Sequence, residues 1–156
     1  MTTRRIFNRK TLLCFAVAGT LLAAGLSGCG TTMQPSNMVA FTTQLRGANE
    51  VPPVTSPGSG TVDAAFNKDT MQLRWKVTYN GMTGPATMGH FHGPAAVGSN
   101  AGIALGWTNP VTSGMEGSAT LTAAQAADLM AGMWYANIHT AANRGGELRG
   151  QMTIRN

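Results

Sequence analysis

The sequence predicts an all-β fold, an antiparallel sandwich or small barrel of about seven or eight strands with one short helix. Three observations carry that expectation. The chain breaks into short β-prone segments separated by Gly, Pro and Asn, the residues that end strands and make turns. One segment, residues 71–79, alternates strictly: Met71, Leu73, Trp75, Val77 and Tyr79 against Gln72, Arg74, Lys76 and Thr78. That period of two gives one buried and one wet face. Finally, only 11% of the 156 residues are charged while 20 are Gly, a balance that suits a compact β domain better than a helical or disordered one. The length allows one ordinary domain.

Taken in order, residues 38–46 form the first strand. Residues 48–60 carry Pro52, Pro53 and Pro57 and are expected to be a loop, because Pro cannot donate to a ladder. Residues 60–66 and 71–79 bracket Asn67-Lys68-Asp69-Thr70, a hairpin turn. Residues 81–85 turn the chain into a strand over 87–92, which Gly93-Pro94 ends. Segments 101–107, 114–120, 135–140 and 147–154 complete the strands. Between them, Thr122-Ala123-Ala124-Gln125 has the form of a capping box and starts a helix over 123–131, stopped by Gly132.

Residues 1–28 read as a bacterial export signal, with Arg4, Arg5, Arg9 and Lys10 ahead of an apolar run over 12–26. The run is shorter than the roughly 20 residues a membrane-spanning helix needs. It ends in Leu26-Ser27-Gly28-Cys29, which resembles the lipobox of lipoproteins, so Cys29 is expected to carry a lipid. Gly30, rather than Asp, follows that Cys, which favours the outer membrane and the periplasmic side of the envelope. Thr3-Arg4-Arg5-Ile6-Phe7 resembles a twin-arginine signal, but Asn8 departs from it and the general secretory route is preferred. Residues 29–37 are then a lipidated tether and 38–156 the folded domain. Cleavage before Cys29 removes four basic residues and Cys14, leaving seven basic against six acidic, a net +1. The basic balance of the whole chain is thus mostly leader, and no nucleic-acid partner is expected. With Cys29 lipidated, no Cys remains for a disulfide or a metal.

All three His fall in two strand-like segments: His90 and His92 in Met88-Gly89-His90-Phe91-His92-Gly93, and His139 in Asn137-Ile138-His139-Thr140. In a strand, residues i and i+2 share a face with Cα atoms roughly 6.5–7 Å apart. Imidazoles at that spacing can bind one ion at about 2.0–2.1 Å per nitrogen. If the strand of His139 lies beside the pair, three imidazoles converge, and Met88 could add a thioether. The other reading is structural, with each ring bonded to a carbonyl and packed on aromatics. Confinement of all three to two segments favours the metal. Neutral imidazoles with a thioether and no thiolate suit copper or zinc and disfavour calcium and magnesium. Export and the abundance of Met incline the choice to copper. Glu147 is placed to accept a hydrogen bond from an imidazole, whereas Glu50 and Arg149 suit an ion pair or backbone bonding near a turn. No nucleophile motif, phosphate loop or dinucleotide fingerprint is found, and no catalytic residue is assigned.

Four ordered motifs resemble the CHRD domain, named after chordin. They are Leu45-Arg46-Gly47-Ala48-Asn49-Glu50-Val51-Pro52-Pro53, Gly89-His90-Phe91-His92-Gly93-Pro94, Tyr135-Ala136-Asn137-Ile138-His139-Thr140, and Gly145-Gly146-Glu147-Leu148-Arg149-Gly150-Gln151. The resemblance spans roughly residues 39–154 and implies an all-β, immunoglobulin-like or related fold. It implies little about activity, although in chordin the domain accompanies protein-binding modules. Met88 stands where a small residue is expected, and Arg144 where the family pattern often has Pro. The His-x-His segment is also similar to that of copper/zinc superoxide dismutases, but three His are too few for a four-His copper site with a bridged zinc.

The expectation from the sequence is therefore a lipid-anchored envelope domain that binds copper, or alternatively zinc, through His90, His92 and His139. Two other functions stand beside it. One is a metal-free module for a protein partner; the other is a small copper-only enzyme similar to superoxide dismutase.

Overall fold

The structure, a computed structural model, describes residues 37–155. The expected signal peptide, the lipobox with Cys29 and nearly all of the tether lie outside the described residues. Among the described residues no helix is long and apolar enough to cross a membrane.

The strands are β1 (Met38–Arg46), β2 (Ser59–Asn67), β3 (Gln72–Asn80), β4 (Ala86–His92), β5 (Ile103–Gly106), β6 (Glu116–Thr120), β7 (Tyr135–Thr140), β8 (Leu148–Gln151) and β9 (Thr153–Ile154). One helix, α1 (Ala123–Met130), lies between β6 and β7. The expected capping box is formed: Thr122 Oγ1 accepts from Gln125 N, and Gln125 Oε1 accepts from Thr122 N. Gln125 also donates to the Ala104 carbonyl at 2.8 Å, which ties the helix to β5.

The strands form one antiparallel sheet in the order β5-β4-β7-β8-β1-β2-β3-β6, with β9 on β1. The expected sandwich or barrel thus takes the form of a single sheet curled into a half-barrel. The hairpin of β2 and β3 pairs without a slip from Ser59↔Asn80 to Asn67↔Gln72. Asn67 Oδ1 accepts from the backbone N–H groups of Asp69 and Thr70 and so closes the turn itself. The segment expected as one last strand is split. Met152 is fully buried and its N–H bonds the Trp134 carbonyl; before it β8 pairs with both β7 and β1, and after it β9 pairs with β1.

One side of the curl holds the core. Phe41, Leu45, Val62, Phe66, Leu73, Val77, Ile138 and Leu148 point inward at alternate positions. Phe91 sits at the centre of three indoles, 5.4 Å from Trp75, 5.2 Å from Trp107 and 5.7 Å from Trp134 between ring centroids. Such offset and edge contacts add to the area these rings bury. Gly89 of β4 lies under Trp107, where a Cβ would run into the indole. Strand β7 is buried at all six positions, not at alternate ones. Its inner face meets the core, and its outer face is covered by the chain that builds the site below.

Candidate metal centre

Strands β4 and β7 are hydrogen-bonded neighbours, and their register sets the site. Met88 lies opposite His139, His90 opposite Asn137, and His92 opposite Tyr135. Directly opposed residues share a face. Met88, His90 and His92 therefore stand with Tyr135, Asn137 and His139 on the outer side of the sheet, while Gly89, Phe91, Ala136 and Ile138 turn inward. The three His come together as expected. Ring centroids are 5.5 Å apart for His90 and His92, 5.1 Å for His90 and His139, and 6.2 Å for His92 and His139. One ring nitrogen from each lies within 4.8 Å of the other two. A tetrahedral ion at about 2.0–2.1 Å from each nitrogen needs them roughly 3.3 Å apart, so the rings draw together by about 1.5 Å at most.

The hydrogen bonds assign the ring nitrogens. His139 Nδ1 lies 2.9 Å from the Arg144 carbonyl, and His92 Nδ1 lies 3.1 Å from the Ala101 carbonyl. A carbonyl only accepts, so each Nδ1 carries the proton and each Nε2 is left with its lone pair. Those Nε2 atoms, and Nδ1 of His90, are buried and have no hydrogen-bond partner. Buried polar atoms are nearly always partnered, so three orphans in one cluster need an explanation. Proton outward to a carbonyl and lone pair inward is how metal-binding imidazoles are held.

Protons are also kept off. Burial, reinforced by the adjacent His139 and His92, holds the His90 pKa down at about 4. Burial lowers His92 as well, against the pull of its bond to Ala101. His90 and His92 are thus held toward the neutral form, the form a metal requires. Met88 is 43% exposed, on the same face at the rim of the cluster.

The expectation for Glu147 needs correction. Its carboxylate does not meet an imidazole. It accepts from Ser56 Oγ, from Thr83 N and Oγ1, from Thr140 Oγ1 and from Asn143 Nδ2. Burial alone would raise its pKa, but the hydroxyls of Thr140, Thr83 and Ser56 and the Thr83 N–H bring it down to about 2. Its effect on the site is indirect. Thr140 and Asn143 flank the turn that presents the Arg144 carbonyl to His139, and Glu147 pins both. Of the two arrangements expected for Glu50 and Arg149, the ion pair is not formed at salt-bridge distance, whereas Arg149 does bond backbone, at the Ser99 carbonyl. Glu50 accepts from Asn137 Nδ2 at 2.7 Å, and burial raises its pKa to about 7 despite that bond and the charge of Arg149.

Sequence reasoning overlooked Tyr135. Its ring lies 4.9 Å from His92, 6° from parallel, and the Arg149 guanidinium sits 3.5 Å above the centre of its other face. The Tyr135 hydroxyl meets both N–H and carbonyl of Ala101, at 3.2 and 3.4 Å, and so holds the carbonyl that orients His92. The signal was present: Tyr135, Asn137 and His139 are spaced by two.

Neither curated proteins nor solved structures give a match to this chain. A family does. The CHRD domain matches residues 41–152, a span that contains every strand of the site and all three His, and the chain belongs to that family.

Proposed function

We propose that this CHRD domain binds a transition-metal ion through His90, His92 and His139, with copper favoured and zinc the alternative. The observation that carries the reading is the trio of buried, unpartnered ring nitrogens, two of them fixed by carbonyls in the tautomer that a metal needs. Three imidazoles leave one coordination position open, and Met88 at the rim offers a thioether for it, which suits Cu(I). The role is metal binding or handling. We place it on the periplasmic side of a bacterial envelope, anchored to the outer membrane through Cys29, because the leader reads as an export signal ending in a lipobox.

The test is metal content and affinity. The protein should bind about one copper or zinc ion per chain, and His90→Ala, His92→Ala and His139→Ala should each weaken binding strongly and to a similar degree by calorimetry. Equal, weak binding by wild type and the triple variant would make the three His structural and leave a protein-interaction module as the function. Cys29→Ser should move the protein from the membrane to the soluble fraction. Unchanged partitioning would remove the anchor.

A further inference from the structure

A cation behind the cluster is buried with no carboxylate at salt-bridge distance. Arg149 is 2% exposed, and both of its hydrogen bonds go to neutral acceptors, Asn100 Oδ1 at 2.7 Å and the Ser99 carbonyl. Among the described residues the ion pairs are Lys76 with Glu116 and Arg155 with Asp63, all exposed and elsewhere. A buried charge with no counter-ion beside it is costly to keep, by several kcal/mol in general. Here it stacks on Tyr135, which stacks on His92, so the guanidinium is wedged behind a metal-binding ring.

We propose that Arg149 sets the charge selectivity of the three-His centre, favouring a soft monovalent ion, Cu(I) or its redox-inert analogue Ag(I), over Zn(II). This rests on the metal-site reading above. The ligands are neutral, so they bring no negative charge to offset the ion. The carboxylates packed around the centre do not offset it either. Glu147 is consumed by five donors of its own. Glu50 is bonded to Asn137, and burial raises its pKa to about 7, which disfavours its charge. The guanidinium's repulsion of the bound ion is therefore only weakly compensated, and it grows with each unit of the ion's charge. At a separation on the order of 8–10 Å and an effective dielectric near 20, the second charge of a divalent ion costs a factor on the order of ten in affinity. Cu(I) and Ag(I) escape that factor and gain from the Met88 thioether, which Zn(II) does not seek.

The experiment measures the ratio of Ag(I) to Zn(II) affinity, using the full chain as its host processes it, in four forms. Wild type should prefer Ag(I). Arg149→Met keeps an unbranched chain over Tyr135 but removes the charge, and should lower the ratio about tenfold. Arg149→Lys keeps the charge with poorer stacking and should hold the ratio. Asn100→Ala loosens the same loop with the charge intact, and should weaken both metals alike at constant ratio. An unchanged ratio in Arg149→Met overturns the proposal, as does an equal fall in Asn100→Ala, which would make Arg149 merely structural. If Arg149→Met does not fold, Arg149→Gln makes the same comparison. Absence of binding of either metal by wild type would instead overturn the three-His reading itself.

Discussion

Glu147→Gln isolates the buried carboxylate that pins the loops around the site. Glu147 is fully buried, yet its pKa lies at about 2 rather than 4.5, because the hydrogen bonds from Thr140, Thr83, Ser56 and the Thr83 N–H outweigh burial and reward the ionised form. At 1.36 kcal/mol per pH unit, that displacement is worth about 3 kcal/mol of stability at neutral pH. Gln keeps the shape but not the acceptors. If its oxygen takes the place of Oε1, to serve Ser56 and the Thr83 N–H, its NH₂ faces the Asn143 amide donor. If it is flipped, the NH₂ faces the Thr83 N–H. Hydroxyls can rotate to accept, but these N–H groups cannot, so one donor is stranded in either orientation. The expected cost is about 3 kcal/mol at pH 7, read by urea unfolding through the three buried indoles, Trp75, Trp107 and Trp134. The pH dependence has a fixed sign. A depressed pKa contributes stability that is complete above 4.5 and is lost as pH falls through about 2. The gap between wild type and variant should therefore narrow from pH 4.5 downward. A gap below about 1 kcal/mol, or one independent of pH, would refute the assignment of the stabilisation to the carboxylate's hydrogen bonds.

Three further outcomes are expected. His90 and Glu50 titrate in opposite senses: His90, lowered to about 4, loses stability as pH falls below 6.5, while Glu50, raised to about 7, gains it as pH falls through 7 toward 4.5. Relative to metal-free wild type, between pH 6.5 and 4.5 the urea midpoint of Glu50→Gln should fall more steeply with acid and that of His90→Asn should fall less or rise; parallel profiles would contradict the two shifts. Met88→Leu keeps the volume and removes the thioether, so competition assays should find Cu(I) affinity reduced and Zn(II) affinity nearly unchanged. Gly89→Ala drives a methyl group into Trp107 and should cost about 1–3 kcal/mol, with a change in Trp emission, though both neighbours of Gly89 face the site rather than the core.

Much of this protein can be read without coordinates. Alternation in residues 71–79 marks β3, Thr122 with Gln125 marks the start of α1, and the pairs Asn67–Asp69 and Asn67–Thr70 explain the hairpin turn, because these are contacts between residues close in sequence. The His-x-His spacing likewise puts two imidazoles on one face whatever the strand pairs with. Long-range partners are another matter. That β7 pairs with β4, opposing His139 to Met88 and bringing its ring to His90, depends on a sheet order that crosses the chain repeatedly. Glu147 was legible as a charged residue near the site but not as the hub for Ser56, Thr83, Thr140 and Asn143, which are gathered from three loops and a strand end. The orientation of the rings belongs to the fold too. The carbonyls of Ala101 and Arg144 carry no side-chain signature, and only the folded backbone aims them at His92 and His139. Sequence determined which donors are available, because strand periodicity is local. Tertiary structure decided that three of them meet with their lone pairs inward, because register and backbone carbonyls are set by contacts distant along the chain.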